Sequence, residues 1–243
     1  MKLTLKDNKI LKDCFNGISN IIDEAILEFS TEGLKINAFD RSHVTFIEMN
    51  LKSDLFDEYE CDETRQILID TVIFDDILKR CNSNDTLELE LDCRLKITFK
   101  AKTTRVFKMS LSYFEGDGIP HPKEKIPINF TIPSNFLKNS IKDIAAYSKT
   151  IRFIVNDTSL FVIGQNDNVK VKNRFDHDAD VNGIHRSKFF TEKVNNILKS
   201  SNLNENCILA LGDNKPIGVT FFIGESSYIR YLLAPVVEVD ENY

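Results

Sequence analysis

The 243-residue chain has no tryptophan, only six prolines and nine glycines, and its glycines do not follow the spacing of a phosphate-binding loop. Neither G-x-G-x-x-G nor G-x-x-x-x-G-K-S/T occurs, so the chain lacks the usual backbone cradle of dinucleotide- and P-loop nucleotide-binding proteins. The patterns H-E-x-x-H and G-x-S-x-G and paired Cys–His zinc spacings are also missing. The sequence therefore carries no conventional catalytic signature.

Long apolar runs are lacking as well. No stretch of about 18 apolar residues exists, so no membrane-spanning helix is predicted, and residues 1–10 are too charged for the core of a secretory signal. We expect a protein of the cytosol or nucleus, with no membrane partner. The cysteines are odd in number, scattered and without a C-x-x-C pair, which indicates reduced core residues. They are Cys14, Cys61, Cys81, Cys93 and Cys207.

What the chain does have is an ordinary globular composition with a slightly acidic balance. Hydrophobic residues make up 42%, and 18 phenylalanines require a core, which is enough for one large domain or two smaller ones. The 37 acidic and 31 basic residues give a net charge of −6, which argues against a uniformly basic nucleic-acid binder. The summed charge does not say where the cations lie.

Apolar and polar residues alternate at period two over most of the chain, which predicts β-strands. Residues 87–91 and 95–99 alternate on either side of a short turn at residues 92–94 and predict a hairpin with one buried face. Further strands are predicted at 25–29, 34–38, 44–51, 106–111, 128–132, 151–155, 160–163, 169–171, 207–211, 217–223 and 228–233.

Four apolar stripes at helical spacing predict four short amphipathic helices. The pair in the first half reappears in the second half after roughly 120 residues, each helix followed by strands, which indicates an internal repeat. The stripes are Ile10, Leu11, Cys14 and Ile18; Ile73, Ile77, Leu78 and Cys81; Leu137, Ile141, Ile144 and Ala145; and Phe190, Val194, Ile197 and Leu198.

The stretch 115–127 separates the two halves. It holds three prolines and two glycines, a composition typical of an extended linker. The prediction is an α+β protein with an N-terminal domain at 1–114, a connecting loop at 115–127 and a C-terminal domain at 128–243. Each domain has two helices packed on antiparallel sheet.

Two polar clusters could carry chemistry. Asp-Arg-Ser-His at residues 40–43 could support acid–base or nucleophilic catalysis, but a polar turn is favoured, because four consecutive residues rarely supply the geometry of a triad. Asp-His-Asp at residues 176–178, with Asp180, could bind a divalent ion, but a solvated loop is favoured, because no glycine folds the chain around an ion. We predict no enzyme, no metal and no cofactor. A hydrolase that uses Asp40 and His43 is the alternative from another class.

The turn at residues 39–44 (Phe-Asp-Arg-Ser-His-Val), the preceding residues 30–34 and the following strand resemble the sliding clamp family, proliferating cell nuclear antigen (PCNA). Residues 231–235 (Tyr-Leu-Leu-Ala-Pro) resemble the family's terminal strand and its corner, and residues 118–120 (Gly-Ile-Pro) resemble its interdomain connecting loop. The resemblance extends over essentially the whole chain, and the compact form is most similar to archaeal clamps.

The resemblance implies the DNA clamp fold and a pseudo-six-fold ring of three subunits. The helices would line a hole that double-stranded DNA passes through without sequence readout, and the sheets would form the outside, where we expect the acidity. Such a clamp is a processivity factor that performs no chemistry. It tethers DNA polymerase, flap endonuclease and DNA ligase through PIP-box-like peptides, and a clamp loader opens it.

The sequence leaves the composition of the ring and the cellular compartment open. The chain could form a homotrimer by itself, or it could be one subunit of a heterotrimeric or checkpoint-type clamp. The clamp would be cytoplasmic and nucleoid-associated in an archaeon and nuclear in a eukaryote.

The resemblance also implies which cations face the DNA. Acidic residues are interspersed among them, so each helix alone would pass as an ordinary solvated face. Contact with phosphates must be weak if the ring is to slide. The predicted cations are Lys6, Lys9 and Lys12 at the first helix, Lys79 and Arg80 at the second, Lys138, Lys142 and Lys149 at the third, and Lys188, Lys193 and Lys199 at the fourth.

An apolar pocket for client peptides is implied in the same way. Phe39 departs from the smaller residue that is common there, and residues 123–125 lack the family's frequent aromatic side chain. Ring closure would pair residues 106–113 of one subunit with residues 169–175 of the next. The predicted pocket residues are Phe39, His43, Val44, Phe46, Ile119, Pro120, Pro216, Ala234 and Pro235.

Overall fold

The computed structural model describes residues 1–113 and 119–236, and the chain divides into two compact units. Unit 1 comprises Met1–Arg41, Ile47–His121 and Phe222–Ile229, and unit 2 comprises Ser42–Phe46, Pro122–Phe221 and Arg230–Tyr243. Residues 115–118 of the predicted linker, with its Gly118, lie outside the described residues. The predicted domain boundaries at 114 and 128 stay a prediction.

The first half of the chain contains two α-helices, α1 (Lys9–Ser19) and α2 (Thr71–Leu78). A 3-10 turn covers Ser53–Leu55. The strands are β1 (Lys2–Leu5), β2 (Glu24–Ser30), β3 (Gly33–Phe39), β4 (Thr45–Lys52), β5 (Glu58–Glu60), β6 (Arg65–Asp70), β7 (Thr86–Leu91), β8 (Leu95–Lys100), β9 (Thr104–Met109) and β10 (Ser112–Tyr113).

The second half contains α3 (Ser134–Ala145) and α4 (Thr191–Ile197). A 3-10 turn at Leu198–Ser200 continues α4. The strands are β11 (Ile128–Pro133), β12 (Thr150–Val155), β13 (Ser159–Gln165), β14 (Lys170–Asp176), β15 (His185–Phe190), β16 (Asn206–Leu211), β17 (Ile217–Ile223) and β18 (Ser227–Leu233).

The sheet topology confirms the predicted repeat. In unit 1 the strand orders are β5-β1-β7-β8-β9 and β10-β6-β2-β3-β4, and in unit 2 they are β14-β13-β12-β15 and β18-β17-β16-β11. Strand β1 precedes α1 and pairs with β7, as β11 precedes α3 and pairs with β16. Strand β6 precedes α2 and pairs with β2, as β15 precedes α4 and pairs with β12. Each half therefore uses the same arrangement of two helices and antiparallel strands.

The predicted hairpin is confirmed in its register. Strands β7 and β8 pair Leu87 with Phe99, Leu89 with Ile97, and Leu91 with Leu95. Because side chains alternate across a strand, all of these residues share one face. That face is buried, since each of these residues is at most 5% exposed.

The helices bury most residues of the apolar stripes, but Ile73 and Phe190 are 51% and 54% exposed, and two stripes run past the helix ends. Within unit 1, the rings of Phe15 on α1 and Phe74 on α2 meet edge to face with centroids 4.6 Å apart. Cys81 lies beyond the end of α2, and Phe190 precedes the start of α4. The stripes alone do not mark those ends, because apolar residues in the flanking turn and strand extend the same spacing.

Five strands were not predicted from the sequence: β1, β5, β6, β10 and β15. They are short or contain polar residues, so their own pattern is weak. Strand β1 exists because it pairs with β5 on one side and with β7 on the other. These strands are stabilised by pairing with strands that are distant in sequence. The periodicity of a single segment carries no information about such pairing.

Candidate functional site

The structure places five of the eleven predicted cations on α-helices. They are Lys9, Lys12, Lys138, Lys142 and Lys193. Lys79, Arg80, Lys149 and Lys199 follow helix ends, with Lys199 in the 3-10 turn after α4. The helical placement was wrong for Lys6, between β1 and α1, and for Lys188, in strand β15.

Lys6 has a structural partner instead of a helical position. Its ammonium lies 3.0 Å from Asp57 Oδ1, and its backbone N–H donates to Asp57 Oδ2 at 2.7 Å. The hydrogen bond from the Lys6 backbone N–H is the main reason that the pKa of the Asp57 carboxyl lies below its usual range, and the Lys6 ammonium lowers this pKa further. This pair fixes the turn that leads into α1.

Lys79 is occupied by carboxylates of its own helix. Its Nζ lies 2.8 Å from Asp75 Oδ2 and 3.4 Å from Asp76 Oδ1. Asp75 is buried and also accepts a hydrogen bond from Ser19 Oγ on α1 at 2.8 Å. The hydrogen bond to Asp75 raises the pKa of Lys79. This group of three residues therefore links α2 to α1, and much of the Lys79 charge is balanced locally.

The remaining helix lysines differ in how firmly they are held. Lys12 Nζ donates to the Cys81 carbonyl at 2.7 Å, and Lys138 Nζ donates to Asn202 Oδ1 at 3.1 Å. Lys142 follows Lys138 by one helical turn on α3 and is exposed, as is Lys149 beyond the end of that helix.

Unit 2 brings together several predicted pocket residues. The backbone N–H of Ala234 donates to the Val44 carbonyl at 2.8 Å, which joins the C-terminal corner to the turn before β4. His43 is exposed in that turn and has a φ of +54°, in the left-handed region that suits a tight turn. Pro216 and Pro235 are half-buried.

Unit 1 holds the other predicted pocket residues. Phe39, at the end of β3, and Ile119 are half-buried, and Pro120 is exposed. The residue that follows, His121, lies with Nδ1 3.9 Å from Glu48 Oε2, and Glu48 Oε1 accepts a hydrogen bond from the Tyr228 hydroxyl at 2.5 Å.

Glu48 and Tyr228 were missed by the sequence reasoning. Their residue numbers differ by 180, and neither belongs to a motif. Glu48 alternates with the buried Ile47 and Met49 on β4, so the local pattern gave no signal for this contact.

Phe46 does not belong to the accessible surface. Its side chain is only 2% exposed, so a peptide could not reach it without displacing the core. Val44, in the turn before β4, is half-buried instead. The structure therefore removes Phe46 from the candidate pocket.

In the two polar clusters, Asp40, Arg41 and Asp176 are buried or contact neighbouring residues of the fold. Asp40 is buried, whereas Arg41 is exposed and pairs with Asp23 at 2.9 Å. The Asp176 carboxylate accepts hydrogen bonds from Ser159 Oγ at 2.7 Å and Arg174 Nε at 2.6 Å. Across residues 1–113 and 119–236, no three His, Cys, Asp or Glu side chains converge as metal ligands.

Among the described residues, the strands that end a sheet are β5, β9, β10, β11, β14 and β15. Two of them, β9 and β14, make up most of the segments predicted for ring closure. Strand β9 ends one sheet of unit 1 and strand β14 ends one sheet of unit 2, within the described parts of the chain. Every residue of β14 is at least partly exposed. None of the described helices is both long and apolar enough to cross a membrane.

A twofold internal repeat of helix pairs and antiparallel sheets, with polar helix faces that carry lysines, defines an α+β protein of the DNA clamp fold. Two solved structures share this fold. The PCNA2–PCNA3 complex from Sulfolobus tokodaii aligns with a TM-score of 0.89 at 23% identity and covers 98% of this chain and 100% of that one. PCNA from Thermococcus kodakaraensis aligns with a TM-score of 0.89 at 20% identity and covers 97% and 99%.

Sequence comparison then gives the family. The family model for the N-terminal domain of proliferating cell nuclear antigen matches residues 1–113. The DNA polymerase sliding clamps of Methanothermobacter thermautotrophicus and Methanobrevibacter smithii are each 34% identical over 242 residues, which covers 99% of both chains. The chain belongs to the DNA polymerase sliding clamp family, whose members are processivity factors rather than enzymes.

Proposed function

We propose that three copies of this chain close into a ring around duplex DNA and tether DNA polymerase and other replication and repair enzymes. The observation that carries the proposal is the 34% identity to archaeal DNA polymerase sliding clamps over 99% of both chains. The internal repeat of helix pairs supports it, because a trimer of such repeats gives the pseudo-six-fold symmetry of the ring.

The open edges support a specific mode of ring closure. In unit 1 the residues Phe222–Ile229 lie beside β4, where the backbone N–H of Lys52 donates to Ser227 Oγ at 2.8 Å. Strand β14 has the position in its sheet that β4 has in the order β6-β2-β3-β4. We propose that β9 of the neighbouring subunit covers β14, since a closed ring would then leave neither edge unpaired.

The polar helix faces are the proposed DNA contact. Lys9, Lys142 and Lys149 are exposed and suit phosphate contact best, while Lys12, Lys79 and Lys138 also hold groups of the protein itself. Such contacts carry no sequence information. Arg80, Lys193 and Lys199 complete the proposed lining. Lys6 and Lys188 lie off the helices and are left out of it.

The proposed client surface consists of the predicted pocket residues other than Phe46. Half-buried apolar side chains such as Val44 and Ile119 can gain further burial when a peptide docks. Flap endonuclease, DNA ligase and the clamp loader are the proposed clients besides polymerase. The full set is Phe39, His43, Val44, Ile119, Pro120, Pro216, Ala234 and Pro235.

The function is tested by replacing Lys142 and Lys149 together with glutamate. We expect clamp-dependent processive DNA synthesis to fall several-fold at low salt and to depend less steeply on salt than in the parent chain, because phosphate contacts are lost. The matched control reverses Lys123 and Lys125, which are exposed in the linker. Equal synthesis by both variants would refute the proposed lining.

Light scattering on the same samples tests the ring. A homotrimer has three times the 27.9 kDa of one chain, about 84 kDa. A monomeric mass would instead favour the second candidate, a clamp subunit that needs different partners. The Sulfolobus tokodaii structure, a complex of two different clamp proteins, is the observation that keeps this candidate.

A further inference from the structure

One face of the four-stranded sheet of unit 2 packs on α3. Gly164 of β13 lies directly against the Ile144 side chain of α3. Leu160 and Val162, which share the face of Gly164, are fully buried. The residues that alternate with them along β13, and their neighbours on the adjoining strands, therefore point to the opposite face.

That opposite face is strongly basic. The strand register places Lys172, Ile163, Arg152 and Lys188 in one row across the sheet, and Arg174, Phe161, Ile154 and Arg186 in the next. Lys170 extends the face beside Gln165. We call it the basic face, defined by Arg152, Lys170, Lys172, Arg174, Arg186 and Lys188.

Acidic residues are scarce among the described strand residues of this face. Among the described strand residues of the basic face, Asp176 is the acidic one, and it is held by Arg174 and Ser159. At the rim, Asp213 accepts a hydrogen bond from the backbone N–H of Arg186 at 3.0 Å. The basic face is therefore an exception to the acidity expected of the surface away from the helices, because the chain's net charge of −6 is not spread evenly.

The shape of the basic face suits a broad anionic backbone. Four strands about 4.8 Å apart span about 14 Å, and alternate residues along a strand are about 7 Å apart. Two shallow cavities of about 360 and 310 Å³ share Arg152 and Lys188 in their linings. The cations are therefore spread over an area rather than lined up in one groove.

The apolar groups on the basic face do not form a peptide pocket. Ile154, Phe161 and Ile163 are half-buried between the strands, and Lys172 Nζ sits 4.1 Å above the Phe161 ring centre. A docked peptide draws most of its affinity from apolar anchors in pockets, whereas phosphates need only well-placed cations. These observations favour a nucleic acid over an acidic protein segment.

We propose that the basic face binds the phosphodiester backbone of nucleic acid that runs outside the ring, without reading its sequence. That this face lies outside the ring rests on the proposed function, in which the helices line the hole. The binding itself requires only this face. It would give the clamp a second nucleic-acid contact, independent of the encircled duplex.

The test uses a covalently closed circle of single-stranded DNA as the probe. Without a loader, such a circle cannot enter a closed ring, so its binding reports the outer surface. Replacing Arg152 and Arg186 with glutamine leaves the β14 edge untouched. We expect about tenfold weaker binding at low salt, and a salt dependence of log K that is lower by about 1.4, from about 0.7 for each lost single-strand phosphate contact.

The matched control replaces Lys123 and Lys125, which are exposed in the linker, with glutamine and should bind the circle as the parent chain does. Unchanged circle binding in the Arg152→Gln/Arg186→Gln variant would overturn the proposal. So would a polyglutamate peptide that binds in an Arg152- and Arg186-dependent manner while the circle does not, since that identifies an acidic protein partner. An equal loss of circle binding in the lysine control would also overturn it, since binding would then follow the net charge rather than the basic face.

Discussion

Replacing Gly164 with alanine should separate α3 from the sheet on which it packs. A Cβ atom at this position would lie 2.1 Å from Ile144 Cγ2 and 3.1 Å from Ile144 Cβ. Carbon atoms normally rest at about 3.5–4.0 Å, so the helix and strand β13 must move apart by more than about 1 Å. Because α3 carries Lys138 and Lys142, this close approach also sets the position of the proposed DNA-facing lysines.

Overpacking of this kind costs about 1–3 kcal/mol. We expect the upper half of that range, about 2–3 kcal/mol, because β13 is held between β12 and β14 and cannot shift alone. Urea unfolding followed by circular dichroism gives the free energy of unfolding for each variant. Gly183→Ala serves as a control for alanine introduction, since a Cβ there meets nothing within 4 Å and only the cost of a φ of +84° applies.

The double variant Gly164→Ala/Ile144→Ala tests whether the clash with Ile144 causes the loss of stability. Shortening Ile144 removes the atom that the new methyl group would strike, so the combined loss should be smaller than the sum of the two single losses by at least about 1 kcal/mol. Additive losses, or a Gly164→Ala variant as stable as the parent chain, would refute the reading of this contact.

Three further predictions concern other parts of the molecule. Ile119→Ala should weaken binding of a PIP-box peptide by about 5- to 30-fold in calorimetry, since about 1–2 kcal/mol of apolar burial is lost, while Ile184→Ala, at a side chain 55% exposed, should change nothing. Lys79→Met should lower the free energy of unfolding by about 1 kcal/mol, because it leaves the buried Asp75 carboxylate with fewer partners; adding Asp75→Asn should recover part of the loss, and no recovery would contradict the assignment. The backbone N–H of Asn82 holds the pKa of Asp85 below its usual range, so this group stabilises the fold above about pH 4 and loses its effect as the pH falls through the lowered folded value. The unfolding temperature should therefore fall less between about pH 4 and 2 in Asp85→Asn than in the parent chain, and parallel curves would argue against that role.

The fold class followed from local pattern. The alternation at residues 87–99 and the stripe that includes Leu137 and Ile141 report which face of a strand or helix is buried, and both were confirmed. Burial of one face repeats with the geometry of the element itself, so a single segment carries that information. The turn at residues 39–44 and the corner at 231–235 were also local, and they were sufficient to indicate the clamp family.

The candidate sites depended on contacts that no segment contains. Phe46 alternates like an accessible strand residue, yet the packed core covers it. Glu48 is held by Tyr228 from the far end of the chain, and Lys6 is held by Asp57. Short strands such as β1 and β5 exist through pairing with distant partners. In each case the deciding energy comes from a neighbour in space rather than in sequence.

The distribution of charge shows most clearly what the sequence determines and what the tertiary structure decides. The sequence by itself determined a net charge of −6 and an alternation of Lys170, Lys172 and Arg174, from which an edge strand or a charged interface could be expected. Only the tertiary structure decided that Arg152, Arg186 and Lys188 join them on one face, because antiparallel pairing of β12 with β13 and β15 sets the register. A strand's own sequence fixes which residues share its faces, and the partner strands fix what those faces meet.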